Sequence, residues 1–186
     1  VFPNFPVAST YFTLTCILTF NFCTHEILYI ILIIYVFMLH QNPRSELSLS
    51  DEYETPHSVF NDICHKYEII PMVDVCASVS NKKCTDFFDI NSDGLTSDWL
   101  YDVWCNPPHS MTGKFVEKAF NEWNRNGINI IMLIPANTCS SIYWHDFIEG
   151  NAEYHAVKGR IRFLRDGSAS EHVSRNAYMC VIFRKK

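Results

Sequence analysis

A strand–helix–strand order between residues 101 and 136 limits the available folds more than any other feature of the sequence. The helical stretch 112–127 carries apolar side chains at helical spacing and stops at Gly127, a residue type that commonly terminates helices. The run INIIMLIPA, residues 128–136, has the continuous apolar character of a strand buried on both faces. Because strands alternate with helices, we predict an α/β domain with a mainly parallel sheet.

The segments around this unit extend the same pattern. Residues 57–67 have the spacing of a helix that begins after Pro56, and residues 68–77 and 85–90 have the character of short strands. Near the C-terminus, the runs GRIRFL and NAYMCVIF predict two strands joined by the polar loop 165–176. These two strands would make an antiparallel addition at one edge of the sheet.

The composition is that of a globular domain. Of the 186 residues, 48% are hydrophobic and 19% are charged, which is enough to bury a core. The net charge of −5 gives no overall electrostatic argument for a nucleic-acid partner. The eight cysteines form no C-x-x-C pair and no Cys/His cluster with zinc-ligand spacing. We therefore predict free thiols in a reducing, cytoplasmic compartment rather than a disulfide framework.

The N-terminal residues 1–37 differ from the rest of the chain. The apolar run ILYIILIIYVFML, residues 27–39, is too short to span a bilayer, which needs about 20 apolar residues. Joining it to the apolar stretch before it would place Glu26 within the membrane, which is costly. Because the first methionine is Met38, we expect residues 1–37 to be a leader from upstream translation and residues 38–186 to be the domain. A membrane segment is the alternative.

A third short strand is predicted from the run YDVWC, residues 101–105, and the tetrapeptide Asn106-Pro107-Pro108-His109 ends it abruptly. Consecutive prolines fix φ and lack backbone donors, so the Pro107 carbonyl becomes a rigid hydrogen-bond acceptor. The Asn106 amide oxygen adds a second acceptor, and a flat ring at position 109 can cover a planar ligand. These parts suit a pocket for the amino group of a nucleobase, with an ordinary turn as the alternative.

From about Asp51 to Phe183 the chain resembles the phage-type DNA N6-adenine methyltransferases, which carry an Asp/Asn-Pro-Pro-aromatic motif. The resemblance rests on segments in the family's order and approximate spacing: DEYETPHSVFNDI, VDVCASVSNKKC, DGLTSDW, VWCNPPHS, LIPANTCSSIYWHD and KGRIRFL. It implies a Rossmann-like methyltransferase fold that uses S-adenosylmethionine. It also implies methylation of the N6 amino group of adenine in double-stranded DNA, with the base flipped out of the duplex.

The resemblance assigns the catalytic role to Asn106, Pro107, Pro108 and His109. Acceptors at Asn106 and Pro107 would draw the adenine amine toward tetrahedral geometry and free its lone pair. His109 departs from the family pattern, which has Tyr or Phe at this place, because its ring is smaller and can carry a charge near neutral pH. This departure raises the alternative of a catalytically degenerate DNA-binding protein with the same fold.

The resemblance and the strand ends together indicate a cofactor site. Its predicted residues are Thr55, Pro56, Asp74, Cys76, Ala77 and Asp89. Thr55 and Pro56 match the family's Thr-Pro segment, and Asp89 has the position of an acidic residue that binds ribose hydroxyls. For DNA phosphates the candidates are Arg160, Arg162 and Arg165, with a solvated edge as the alternative.

A calcium loop is the rival interpretation of residues 89–100. The segment DINSDGLTSDWL starts like an EF-hand loop, with Asp89, Asn91 and Asp93 at alternate positions. Its twelfth residue, where calcium needs a bidentate carboxylate, is Leu100. We therefore prefer the methyltransferase interpretation, which needs no metal. Hydrolase and nucleotidase interpretations lack support, because the sequence has no Gly-x-Ser-x-Gly, Walker or His-Glu-x-x-His motif.

Overall fold

A computed structural model describes residues 53–165, 167–169 and 173–185. The predicted leader at residues 1–37 lies outside the described residues. Within the described ranges, no helix combines the length and apolar character needed to cross a bilayer.

Both predicted helices form. Helix α1 spans His57–Tyr67 and helix α2 spans Thr112–Asn126. Each ends at a residue in the left-handed conformation, Glu68 with φ 55° and Gly127 with φ 59°. Gly127 adopts this conformation without steric cost and its amide closes the last turn on Trp123. The predicted helix stop at Gly127 is therefore confirmed.

Six strands form the main sheet. They are β1 (Val73–Asp74), β2 (Asp86–Phe87), β3 (Val103–Cys105), β4 (Ile130–Pro135), β5 (Glu153–Ala156) and β8 (Tyr178–Phe183). Their order is β2-β1-β3-β4-β8-β5. The first four strands are mutually parallel, and β8 runs antiparallel to both β4 and β5. The predicted mainly parallel sheet with an antiparallel C-terminal side is confirmed.

Alternating side chains on the central strands build two cores, one on each face of the sheet. On β4, Ile130, Met132 and Ile134 face α2, whereas Ile131 and Leu133 face α1. All five are at most 1% exposed. Burial on both faces explains the uninterrupted apolar run in the sequence, and it gives the domain its helix–sheet–helix layers.

The predicted pairing of the two C-terminal strands is wrong. Within the run GRIRFL only Leu164 becomes strand; strand β6 (Leu164–Arg165) pairs with β7 (Ser168–Ala169) in a separate two-stranded sheet. The partner of β8 is instead β5. All four residues of β5 are exposed, so the strand lacks the alternating apolar pattern from which strands are predicted.

Candidate active site

The Asn106 amide is held at the carboxyl end of β3 by a backbone carbonyl from a distant segment. Its Nδ2 atom donates to the Tyr53 carbonyl oxygen at 3.1 Å. Because the nitrogen occupies that contact, the Oδ1 atom is directed away from Tyr53 and stays available as an acceptor. Among the described residues, none donates a hydrogen bond to Asn106 Oδ1 or to the Pro107 carbonyl oxygen.

The second proline of the motif starts a short helical turn. The Pro108 carbonyl accepts a hydrogen bond from the Met111 amide at 2.9 Å, and residues His109–Met111 form a 3₁₀ helix that leads into α2. The hydroxyl of Thr112 also donates to the His109 carbonyl at 3.1 Å. These bonds engage the carbonyls that follow Pro107, and they fix the corner in which the Pro107 carbonyl lies.

His109 lies in an aromatic cluster beside this corner. Its Nε2 atom is 2.6 Å from the Tyr178 hydroxyl, and its ring centroid is 6.3 Å from that of Tyr53 in an edge arrangement. Tyr53 in turn stacks on Phe163 at 5.5 Å. Burial raises the pKa of Tyr178 to about 12, so its hydroxyl stays protonated. Tyr178 therefore fixes the position of the imidazole ring.

A buried hydroxyl without a partner lies two residues beyond Tyr53. Thr55 is 2% exposed, and its Oγ1 atom has no hydrogen-bond partner among the described residues. An unsatisfied buried hydroxyl is costly unless a ligand or water completes its hydrogen bonding. Thr55 therefore fits the predicted cofactor site, because a polar group of a bound ligand can pair with it.

Asp74 organises the loop that follows β1. Its carboxylate, in a residue 3% exposed, accepts hydrogen bonds from the Cys76 amide at 3.3 Å and the Lys83 amide at 3.0 Å. The ends of β1 and β2 are then joined by hydrogen bonds from Phe88 to the Asp74 carbonyl and from Ala77 to the Phe88 carbonyl. The structure thus brings Asp74, Cys76 and Ala77 together with the residues just before Asp89.

Asp74 should give the domain a characteristic pH dependence. Burial raises the pKa of Asp74 to about 6, although the Lys83 and Cys76 amides act to lower it. The folded protein therefore binds this proton more tightly than the unfolded chain. The contribution of Asp74 to stability is fully present below its ordinary pKa of 3.8 and is lost as pH rises through about 6.

The variant Asp74→Asn removes this titration. We expect the free energy of unfolding of the wild type, relative to Asp74→Asn, to fall as pH rises from 3.8 to about 6. Urea unfolding of both proteins over this range measures the difference. Parallel pH profiles for the two proteins would contradict the assignment.

Asp89 caps its own turn. Its carboxylate accepts hydrogen bonds from the Ser92 and Asn91 amides, each at 2.9 Å, and these bonds lower its pKa. Strand β2 precedes this turn where an EF-hand would have a helix. Over the described ranges, no group of three or more His, Cys, Asp or Glu side chains is arranged to hold a metal ion. These contacts do not favour the calcium interpretation, and the ribose role of Asp89 stays a prediction.

The three candidate DNA-contacting arginines, Arg160, Arg162 and Arg165, are exposed. Arg160 donates to the Arg175 carbonyl. These arginines define a basic segment, residues 160–165. Within it, Leu164 forms an antiparallel bridge with Glu54, with backbone hydrogen bonds of 2.8 and 3.0 Å. The basic segment therefore lies beside residues 53–55, which reach Asn106. Contact with DNA stays a prediction.

Sequence reasoning missed two residues of this arrangement, Tyr53 and Tyr178. Tyr53 immediately precedes Glu54 and Thr55, so its closeness to a matched motif was the one available signal. Tyr178 lies in an apolar strand and gave no signal, because its hydroxyl meets His109 only through the pairing of β8 with β4.

Comparison with known proteins agrees with this geometry. The family model described as DNA N-6-adenine-methyltransferase (Dam) matches residues 43–186. The chain belongs to this DNA N-6-adenine-methyltransferase family. A family relative from Haemophilus phage HP1 is 29% identical, in a match covering 77% of this chain and 84% of the relative. Another, from Escherichia phage T1, is 30% identical and the match covers 73% of this chain and 63% of the relative. Both relatives are named DNA N-6-adenine-methyltransferase.

The fold has a counterpart among solved structures. A Pyrococcus horikoshii protein assigned as an RNA methyltransferase superposes with a TM-score of 0.52 at 15% identity. The match covers 78% of this chain and 90% of the archaeal protein. At this identity the comparison shows the fold alone, and it confirms the predicted Rossmann-like methyltransferase architecture of this family member.

Proposed function

We propose that this chain transfers a methyl group from S-adenosylmethionine to the N6 amino group of adenine in DNA. One observation carries the proposal: two acceptors, Asn106 Oδ1 and the Pro107 carbonyl oxygen, follow β3 in a corner fixed by hydrogen bonds, and neither accepts a hydrogen bond from the described part of the chain. Membership of the DNA N-6-adenine-methyltransferase family supports the same reaction. The alternative of a catalytically degenerate DNA-binding protein is not favoured.

The two acceptors explain how a weak nucleophile can react. The lone pair of the adenine amine is delocalised into the ring, so the amine is planar and unreactive. Hydrogen bonds from its two N–H groups to Asn106 Oδ1 and the Pro107 carbonyl pull the nitrogen toward tetrahedral geometry. Because the acceptors are already held in place, little reorganisation is needed during the reaction.

The cofactor fits the residues at the ends of β1 and β2. S-adenosylmethionine supplies an electrophilic methyl group when bound. The Thr55 hydroxyl, which has no hydrogen-bond partner among the described residues, is the candidate for a polar contact with it, and Cys76 and Ala77 contribute small side chains to the loop that Asp74 holds. Asp89 is the candidate for the ribose hydroxyls.

The target base must leave the duplex to reach the corner, since its amine is paired inside DNA. Arg160, Arg162 and Arg165 are the candidates for holding the phosphates. The aromatic cluster around His109 is the candidate site for the extruded base. A cytoplasmic location, where DNA and the cofactor meet, stays a prediction.

The direct test is incubation of the purified chain with double-stranded DNA and S-adenosylmethionine labelled in its methyl group. After nuclease digestion, chromatography of the nucleosides should find the label in N6-methyladenine. Asn61→Ala, an exposed change on α1, serves as a matched asparagine control for active-site variants. Label in cytosine, or in no nucleoside while the cofactor binds, would overturn the proposal.

His109 provides a graded test of base stacking. Because stacking of a base on an aromatic ring contributes about 1–3 kcal/mol, His109→Ala should lower kcat/KM by about 10- to 100-fold. His109→Phe keeps a ring but loses the hydrogen bond to Tyr178, so it should retain most of the activity. Steady-state kinetics of both variants with a short DNA duplex separate the effect of the ring from the effect of the hydrogen bond to Tyr178. Equal losses in both variants would assign the effect to the Tyr178 contact instead.

A further inference from the structure

Two thiols lie against each other at the carboxyl end of the sheet. The Sγ atoms of Cys76 and Cys105 are 3.6 Å apart, and both cysteines are free. Cys105 is the last residue of β3 and is fully buried. Cys76 lies in the loop after β1 and is partly exposed. The pair therefore joins a thiol from a partly exposed loop residue to a buried thiol within reach of it.

The pair lies next to the proposed catalytic corner. Cys105 is bonded directly to Asn106, and the parallel register pairs Asp74 with Trp104 on the neighbouring strands. The Val75 amide extends this pairing by donating to the Trp104 carbonyl at 3.1 Å, and Cys76 follows directly. Neither thiol has a chemical role in the proposed methyl transfer, so the closeness of the two sulfurs calls for a separate explanation.

We propose that Cys76 and Cys105 form a modification site that closes to a disulfide by exchange with a low-molecular-weight disulfide. The Cys76 thiolate attacks one sulfur of the reagent, forms a mixed disulfide and releases the first reagent thiol. The Cys105 thiol, on losing its proton, then attacks the Cys76 sulfur and releases the second reagent thiol. The two cysteines are oxidised by two electrons and the reagent disulfide is reduced to two thiols.

Closing the pair requires movement. A disulfide bond is about 2.0 Å long, which is shorter than the observed 3.6 Å separation. Since Cys105 is inside the central sheet and Cys76 is in a loop, we expect the loop to move toward β3. The shift would disturb the cofactor loop and the residue beside Asn106. A displacement of about 1 Å at such a site can lower a rate by about 100-fold, and that is the loss we expect on closure.

The experiment treats the purified chain with 2-hydroxyethyl disulfide, blocks the remaining thiols and maps the linked peptides. Trypsin leaves Cys76 in residues 67–82 but leaves Cys84 and Cys105 together in residues 84–114. A second digestion with chymotrypsin, which cuts at the aromatic residues between these two, identifies the partner. Burial raises the pKa of the Cys76 thiol, so the linkage should form faster in alkaline buffer.

We expect a Cys76–Cys105 linkage and an approximately 100-fold loss of methylation that dithiothreitol reverses. The ratio of reduced to oxidised activity should fall to about one in Cys76→Ser, which lacks the attacking thiol, whereas Cys139→Ser, at an exposed thiol, should behave as the wild type. Linkage of other cysteines instead, or none, overturns the site. The activity readout depends on the proposed function, whereas peptide mapping does not, so the two failures are distinguishable.

Discussion

Asn106→Ala is expected to lower kcat for adenine methylation by about 100- to 1,000-fold, because removing one preorganised hydrogen-bonding group from a reacting centre has an effect of this size. The variant loses the Oδ1 acceptor and also the bond from Nδ2 to Tyr53 at 3.1 Å. Cofactor affinity should change much less, since Asn106 acts on the base. Single-turnover kinetics with labelled cofactor measure the chemical step, and calorimetry measures cofactor binding.

A second substitution at this position separates the two functions of the amide. Asn106→Asp keeps an acceptor oxygen for the adenine but turns a carboxylate oxygen toward the Tyr53 carbonyl, where the native side chain has a donor. Two facing acceptors repel, so Asn106→Asp should also methylate adenine more slowly, although the aspartate side chain has nearly the same shape as asparagine. The methylation activity of the control variant Asn61→Ala is the reference against which both Asn106 variants are compared. Full activity in Asn106→Asp would show that the Tyr53 contact does not position the side chain.

The largest expected effect on stability comes from Glu122→Ala. Glu122 is 3% exposed and accepts hydrogen bonds from Lys118 and Arg125 at 2.6 Å, from Asn126 at 2.8 Å and from the Trp99 amide at 3.3 Å. Lys118 and Arg125 can still reach water, but the Trp99 amide and the Asn126 side chain lose a charged, buried acceptor, and losing hydrogen bonds of this kind costs about 1.5–3 kcal/mol. Urea unfolding should show this loss.

The control for this variant lies on the same helix. Glu117 is exposed, so Glu117→Ala should change the free energy of unfolding by less than about 0.5 kcal/mol.

Burial acts to raise the pKa of Glu122, but the hydrogen bonds from Lys118, Arg125 and Trp99 outweigh it and the net pKa is lowered. Its stabilisation is therefore lost as pH falls through that lowered pKa. The difference between wild type and Glu122→Ala should shrink in acid, and a constant difference would contradict the account.

The layered architecture could be predicted because it depends on local patterns. Helix α2 repeats apolar residues at helical spacing and β4 is apolar throughout, and each pattern admits few alternatives. Strand β5 was missed because its side chains are exposed. The pairing partner of β8 was assigned wrongly for the same reason, since a strand without an apolar face cannot be recognised from periodicity.

The candidate site was predictable in part. The Asn-Pro-Pro motif indicated its acceptors, because proline chemistry alone leaves the Pro107 carbonyl without a helical partner. The partners of the motif were not predictable: Tyr53 is 53 residues from Asn106 and Tyr178 is 69 residues from His109. The cofactor role of Asp74 stays a prediction, and its hydrogen bonds from the loop amides were not predictable, because they form only once the loop is folded.

The bridge between Glu54 and Leu164 joins the beginning of the domain to a segment near its end. Tyr53, which orients the Asn106 amide, is therefore anchored only after the ribosome has made most of the polypeptide. A nascent or prematurely terminated chain would contain the whole Asn-Pro-Pro-His motif but lack the support that aligns it. Catalytic competence in this family member should consequently arise late in synthesis, once Leu164 is available to pair with Glu54.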